Sequence, residues 1–169
     1  RYAAMVPGAV AFLADASYGR LSIQPDPQLA WLRMPRPSTE YALGRGVSFA
    51  QHKAYIQDAV AAADAAVDFA STDVLIVIAA SNAPEMANSP AFTPFPGDGV
   101  PADGRRIDNA VTMGTDFPGR QDRVLAHELL HTLGLVDLYS FAEPSRLFQF
   151  TGPFSIMGDI TTTLPGPVA

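Results

Sequence analysis

The chain has 169 residues, 48% of them hydrophobic, enough for one domain with a sizeable core and too few for two comfortable ones. Its formal net charge of −6, with no basic run, argues against a nucleic-acid partner, and no apolar stretch approaches the roughly 18 residues of a membrane span. Cysteine is absent, so no disulfide framework holds the domain, and that absence decides neither cytoplasm nor secretion.

Taken in chain order, Ala9 to Ser17 reads as a short helix following Pro7-Gly8 and ending near Gly19. Leu21 to Ile23 and Leu29 to Met34 are expected as strands on either side of a Pro25-Asp26-Pro27 turn, the second holding the only tryptophan, Trp31. Pro35 to Gly46 reads as a loop. The longest helix is expected from Phe49 to Ala70, opened by a Ser48-Phe49-Ala50-Gln51 capping box. Ile56, Val60, Ala63, Val67 and Ala70 give it one apolar stripe. His52 lies in this helix with no partner pattern and is expected to be structural or surface-exposed. Val74 to Ala80 is apolar on both faces, the pattern of a central strand covered on both sides.

From Ser81 to Arg106 the chain is rich in Pro, Gly, Asn and Asp, and a loop of that size is usually functional or metal-stabilised. Asp98, Asp103 and Asp108 raise calcium as an option, but their spacing matches no calcium-loop template, and solvated turn acids are the preferred reading. Ile107 to Met113 reads as a further strand. A helix should then begin between Pro118 and Asp122 and run to Leu133, held on the core by the row Leu125, Leu129 and Leu133.

That helix carries His127-Glu128-Leu129-Leu130-His131-Thr132-Leu133-Gly134-Leu135-Val136-Asp137, an H-E-x-x-H-x-x-G-x-x-D pattern. Residues four apart differ by about 40° around a helix axis, so His127 and His131 project from one face. Two imidazole nitrogens placed so can reach one metal at about 2.0–2.1 Å. Glu128 is rotated by about 100° and is better placed to hydrogen-bond a water on the metal as general base. Gly134 can adopt the left-handed conformation that ends a helix and turns the chain back. Asp137 then comes within reach as third protein ligand, leaving the open fourth position of a catalytic zinc. The blander alternatives are surface histidines, a solvated Glu128, and an Asp137 that caps a turn or binds calcium. In a zinc peptidase the strand before such a helix often lies at a cleft edge, a role expected here of Asn109 to Met113 toward an extended substrate.

This motif, with the later Ser155-Ile156-Met157-Gly158, resembles the metzincin clan of zinc peptidases, in which a methionine-containing turn underlies the metal. Within the clan the likeness is to the immune inhibitor A family of secreted bacterial metallopeptidases. It rests on His131 to Tyr139, on the Phe12 to Leu21 segment, and on the alanine-rich helix leading from Ala62 into the strand ending at Ile78. The resemblance implies an α+β, metzincin-like catalytic domain with a twisted mixed sheet packed by a long helix and an active-site helix. It implies His127, His131 and Asp137 as zinc ligands, Glu128 as base, Met157 as turn methionine, and secretion. Core filling, the ordinary role of a methionine, coincides with that turn role. Some clan members place a helper tyrosine where this chain has Asp159, so none is assigned, and Tyr139 is expected to pack.

The chain stops twelve residues after Met157 and opens on Arg1, so residues 1–169 are expected to be one catalytic domain excerpted from a longer protein. The function expected is zinc-dependent endopeptidase acting on protein or peptide substrates. The rivals are a zinc-binding scaffold module without turnover, and a metal-dependent amidase. Oligomeric state is not legible.

Overall fold

The computed structural model describes residues 1–141, 151 and 154–161. These form an α+β protein with a small mixed sheet and divide into two compact units. One unit comprises Arg1–Pro25 with the described residues from Phe117 onward, and the other is Asp26–Asp116. Among the described residues no helix is long and apolar enough to cross a membrane.

The first unit is built on helix α1 (Tyr2–Ala16) packed against helix α4 (Gln121–Thr132). α1 starts seven residues before the expected Ala9 and runs through Pro7. Pro7 removes one backbone donor, but Met5, Ala9 and Leu13, at spacings of four, bury one face with Val6 and hold the helix across the break. Gly8 lies where a Cβ would stand 3.0 Å from the Asp122 Cβ, so its bare backbone lets the two helices approach closely.

The second unit holds helices α2 (Ser38–Tyr41) and α3 (Phe49–Ala63), a 3₁₀ turn at Phe69–Ser71, and five strands: β1 (Leu75–Ile78), β2 (Ala91–Phe92), β3 (Val100–Ala102), β4 (Arg105–Ile107) and β5 (Ala110–Met113). The capping box at Ser48 is present: its hydroxyl accepts from the Gln51 N–H while the Gln51 side chain accepts from the Ser48 N–H. α3 ends at Ala63, short of the expected Ala70, because Asp68 accepts from the Ala70 N–H and caps a separate turn that buries Phe69. Ile56 and Val60 reach the core as expected, packing with Tyr41, Tyr55, Phe69 and Phe92.

β5 lies between β1, which pairs with it in parallel, and β2, which pairs antiparallel. This corrects two expectations. Among the described residues the Val74 to Ala80 run forms an edge strand, with every residue of β1 half-buried, whereas β5 is buried throughout. β5 is also no free edge for a substrate: Val111 and Ala110 face β2, and Thr112 N–H donates to the Pro90 carbonyl. A run of β-branched residues announces a strand, but the rank of a strand in its sheet depends on partners distant in sequence.

Further segments differ from expectation: Pro35 to Gly46, expected as a loop, holds α2, and Ile107 to Met113 divides between β4 and β5. Residues 21–23 and 29–34 form no strand; Pro25, Pro27, Pro35 and Pro37 bracket them and remove ladder donors. Trp31 is left 68% exposed. The supposed long loop contains β2 and the β3–β4 hairpin, turned by Asp103 and Gly104, both at positive φ as a two-residue hairpin turn requires. Asp103 accepts from the Phe69 N–H, and Asp98, Asp103 and Asp108 do not gather as a group of metal-ligating side chains.

His52 is buried, its Nε2 2.9 Å from the Thr112 hydroxyl and its ring edge-on to Phe92. Burial lowers its pKa from 6.5 to about 4. As pH falls through that window the unfolded chain takes up the proton first, so stability is lost between about pH 6.5 and 4. At about 1.4 kcal/mol per pH unit the loss approaches about 3 kcal/mol. Denaturant unfolding at pH 7 and 4.5, with metal removed, is expected to show native protein losing more stability than His52→Gln. Equal losses in the two proteins would refute the assignment.

Candidate metal centre

The candidate site lies wholly within the first unit. α4 buries Val124, Leu125, Ala126, Leu129 and Leu130 together with His127, and His127 and His131 lie on one face of it. Leu133, expected to extend the buried row, is instead the C-cap residue and 54% exposed. The helix closes as a Schellman motif. Gly134 N–H donates to the His131 carbonyl and Leu135 N–H to the Leu130 carbonyl, with Gly134 at φ 90°. That turn sends the chain back and brings Asp137 to the histidines.

The three ligand atoms form a nearly equilateral triangle. His127 Nε2 and His131 Nε2 are 3.1 Å apart, and Asp137 Oδ1 is 3.1 Å from the first and 3.3 Å from the second. Ligand atoms at about 2.0–2.1 Å from a tetrahedral zinc stand about 3.3 Å apart, so the triangle has the size of one tetrahedral face. No other such group of three histidine or acidic side chains occurs among the described residues.

The protons decide what this triangle wants. His127 Nδ1 lies 2.9 Å from the Ile156 carbonyl, and His131 Nδ1 lies 2.7 Å from the Leu135 carbonyl. A carbonyl can only accept, so each neutral ring carries its hydrogen on Nδ1 and turns a bare lone pair inward from Nε2. Asp137 Oδ1 is buried and, among the described residues, has no hydrogen-bond partner. Three electron pairs therefore converge with no proton between them, an arrangement a cation satisfies. When a proton enters in the cation's place, an imidazolium donates to Asp137 and the pairing shifts both groups. Burial alone would raise the Asp137 carboxyl, but the two imidazoles outweigh it and hold the group well below the usual carboxylate range. Asp137 raises the His131 imidazole above its ordinary value, against burial, with help from the Leu135 carbonyl.

Glu128 stands outside the triangle, its Oε1 4.0 Å from His127 Nε2 and its side chain only 14% exposed. Met157 is fully buried, and its carbonyl accepts from the Leu138 N–H, one residue beyond Asp137. The 155–158 turn is thus bonded both to a ligand, through Ile156, and to the ligand loop, through Met157. Asp159 N–H donates to the Ser155 carbonyl, while its carboxylate accepts from the Thr161 N–H and hydroxyl. Tyr139 packs against Phe141, ring centroids 4.8 Å apart.

All the site residues named from the pattern are therefore brought together. The orienting carbonyls of Leu135 and Ile156 had no sequence signal, because every residue has a carbonyl and only the fold selects one. No protein-family model matches this chain, and no curated protein or solved structure matches it significantly.

Proposed function

We propose that the chain is a zinc-dependent endopeptidase with a metzincin-like fold, acting outside the cell on protein or peptide substrates. The observation that carries the reading is the proton-free triangle of His127, His131 and Asp137 with the Glu128 carboxylate beside it. Three protein ligands of this kind leave a tetrahedral ion one open position. Zinc held there would supply Lewis acidity toward a scissile carbonyl and would lower the pKa of a water toward about 7. Glu128 takes the proton of the attacking water and delivers it to the leaving amine. Asp137 keeps its negative charge and offsets part of the ion's, while the Leu135 and Ile156 carbonyls hold both imidazoles in the ligating tautomer.

The test is incubation of the chain, loaded with one equivalent of zinc, with an unfolded protein. Fragmentation is expected, abolished by a chelator and restored by added zinc. Stoichiometric zinc binding with no hydrolysis of any amide would leave the scaffold reading. Hydrolysis of small amides without protein cleavage would leave the amidase reading.

A further inference from the structure

We propose that Ser155 is a positioning residue for the metal centre, setting the tautomer and orientation of His127 through the backbone of the next residue. The inference rests on the metal-site reading above and concerns a side chain that touches none of the ligand atoms.

Ser155 is only 7% exposed, a poor place for a hydroxyl without a task. Its Oγ accepts from the Met157 N–H at 3.2 Å, a side-chain bond spanning two residues that closes a small turn from within. Its own carbonyl accepts from the Gly158 N–H at 3.0 Å and the Asp159 N–H at 2.9 Å, closing the same turn from the other side. The peptide between these bonds carries the Ile156 carbonyl, the acceptor of His127 Nδ1–H. The next carbonyl, of Met157, takes the Leu138 N–H from the loop that presents Asp137. The turn thus aims two successive carbonyls, one at a ligand and one at the ligand loop, and among the described residues the hydroxyl makes the only side-chain hydrogen bond within it.

Buried Ile156 and Met157 supply the packing, but packing does not set the rotation of a peptide plane. A hydrogen bond does, because its energy falls steeply with misalignment. Without the hydroxyl, the 156–157 peptide can rotate, and the His127 ring loses the acceptor that holds its Nδ1 proton away from the metal. Direct orienting partners of metal-bound histidines change affinity by about 10–100-fold. One bond further out, Ser155→Ala is expected to weaken zinc binding about tenfold.

The experiment measures zinc affinity by competition with a chromophoric chelator at one fixed pH, and the visible absorption of the cobalt-substituted protein. The proteins are native, Ser155→Ala, Ser155→Thr and Ser155→Val. Thermal unfolding of the metal-free forms runs alongside. Threonine and valine have the same shape and differ in the hydroxyl, so their comparison stands even where alanine prevents folding. The expected result is native-like affinity and cobalt spectrum for Ser155→Thr, with about tenfold weaker binding and an altered cobalt spectrum for Ser155→Val. Equal zinc affinity and identical spectra in the threonine and valine proteins overturn the proposal, whatever their thermal midpoints. Failure of the native chain to bind zinc overturns the metal-site reading itself, and this inference with it.

Discussion

Replacing Asp137 with alanine is expected to weaken zinc binding by at least about a thousandfold, while leaving α4 folded. A partner that merely orients a metal ligand is worth about 10–100-fold in affinity, and Asp137 supplies a ligand atom and the only negative charge in the triangle. The two remaining Nε2 atoms, both neutral, would face a divalent ion with two of four positions filled by protein. The helix end does not depend on Asp137, since the Schellman bonds run from Gly134 and Leu135 to His131 and Leu130. Circular dichroism should therefore be unchanged when zinc affinity collapses. Asp137→Asn separates geometry from charge: it keeps an oxygen at the same reach, and an intermediate affinity is expected. Competition against a chromophoric chelator measures all three proteins. An alanine variant that holds zinc within tenfold of native places the third ligand elsewhere and removes the meaning assigned to the triangle.

The site was legible because its chemistry follows a helical period. His127 and His131 meet through a four-residue spacing, and Gly134 fixes where the chain reverses. Asp137 needed only that reversal to arrive. α3 was legible at its start, where Ser48 and Gln51 cap each other, and less so at its end. There the deciding event is Asp68 capping a new turn around Phe69, whose N–H is taken by Asp103 from thirty-four residues away. Sheet order was hidden for the same reason: nothing local in Leu75–Ile78 says that β5 lies on one side only. The β3–β4 hairpin did carry a signal, Asp103-Gly104, which the surrounding Pro and Gly masked as loop. The start of α1 is obscured in the sequence by Pro7, an ordinary helix boundary, which the buried face of Met5, Ala9 and Leu13 carries the helix past. Short-range rules held where two partners lie within a turn of each other and failed where the partner is remote.

Glu128→Gln is expected to lower the turnover of an unfolded protein substrate by about 10²–10⁴-fold while zinc content stays at one per chain, the range a positioned general base contributes. The substitution preserves volume and hydrogen-bonding reach but cannot accept the water's proton. Glu128 Oε1 lies 4.0 Å from His127 Nε2 and outside the ligand triangle, so zinc affinity should move by only a few-fold. Proton transfer belongs to the transition state and not to substrate binding, so the loss should fall on kcat with KM nearly unchanged. Two other described carboxylates, Asp137 within the triangle and Asp159 beside the 155–158 turn, are differently placed. Asp137 presents its Oδ1 to both imidazoles, and Asp159 accepts from Thr161. In the proposed reading the first is a metal ligand and the second is held by Thr161, so one change at Glu128 should remove most of the activity. A glutamine variant retaining more than a tenth of native turnover assigns the base to another group. One that loses zinc along with activity makes Glu128 part of the metal-holding structure. Full zinc occupancy with turnover down at least a hundredfold is the outcome that joins the triangle to peptide hydrolysis, because only then is the metal retained while the proton has nowhere to go.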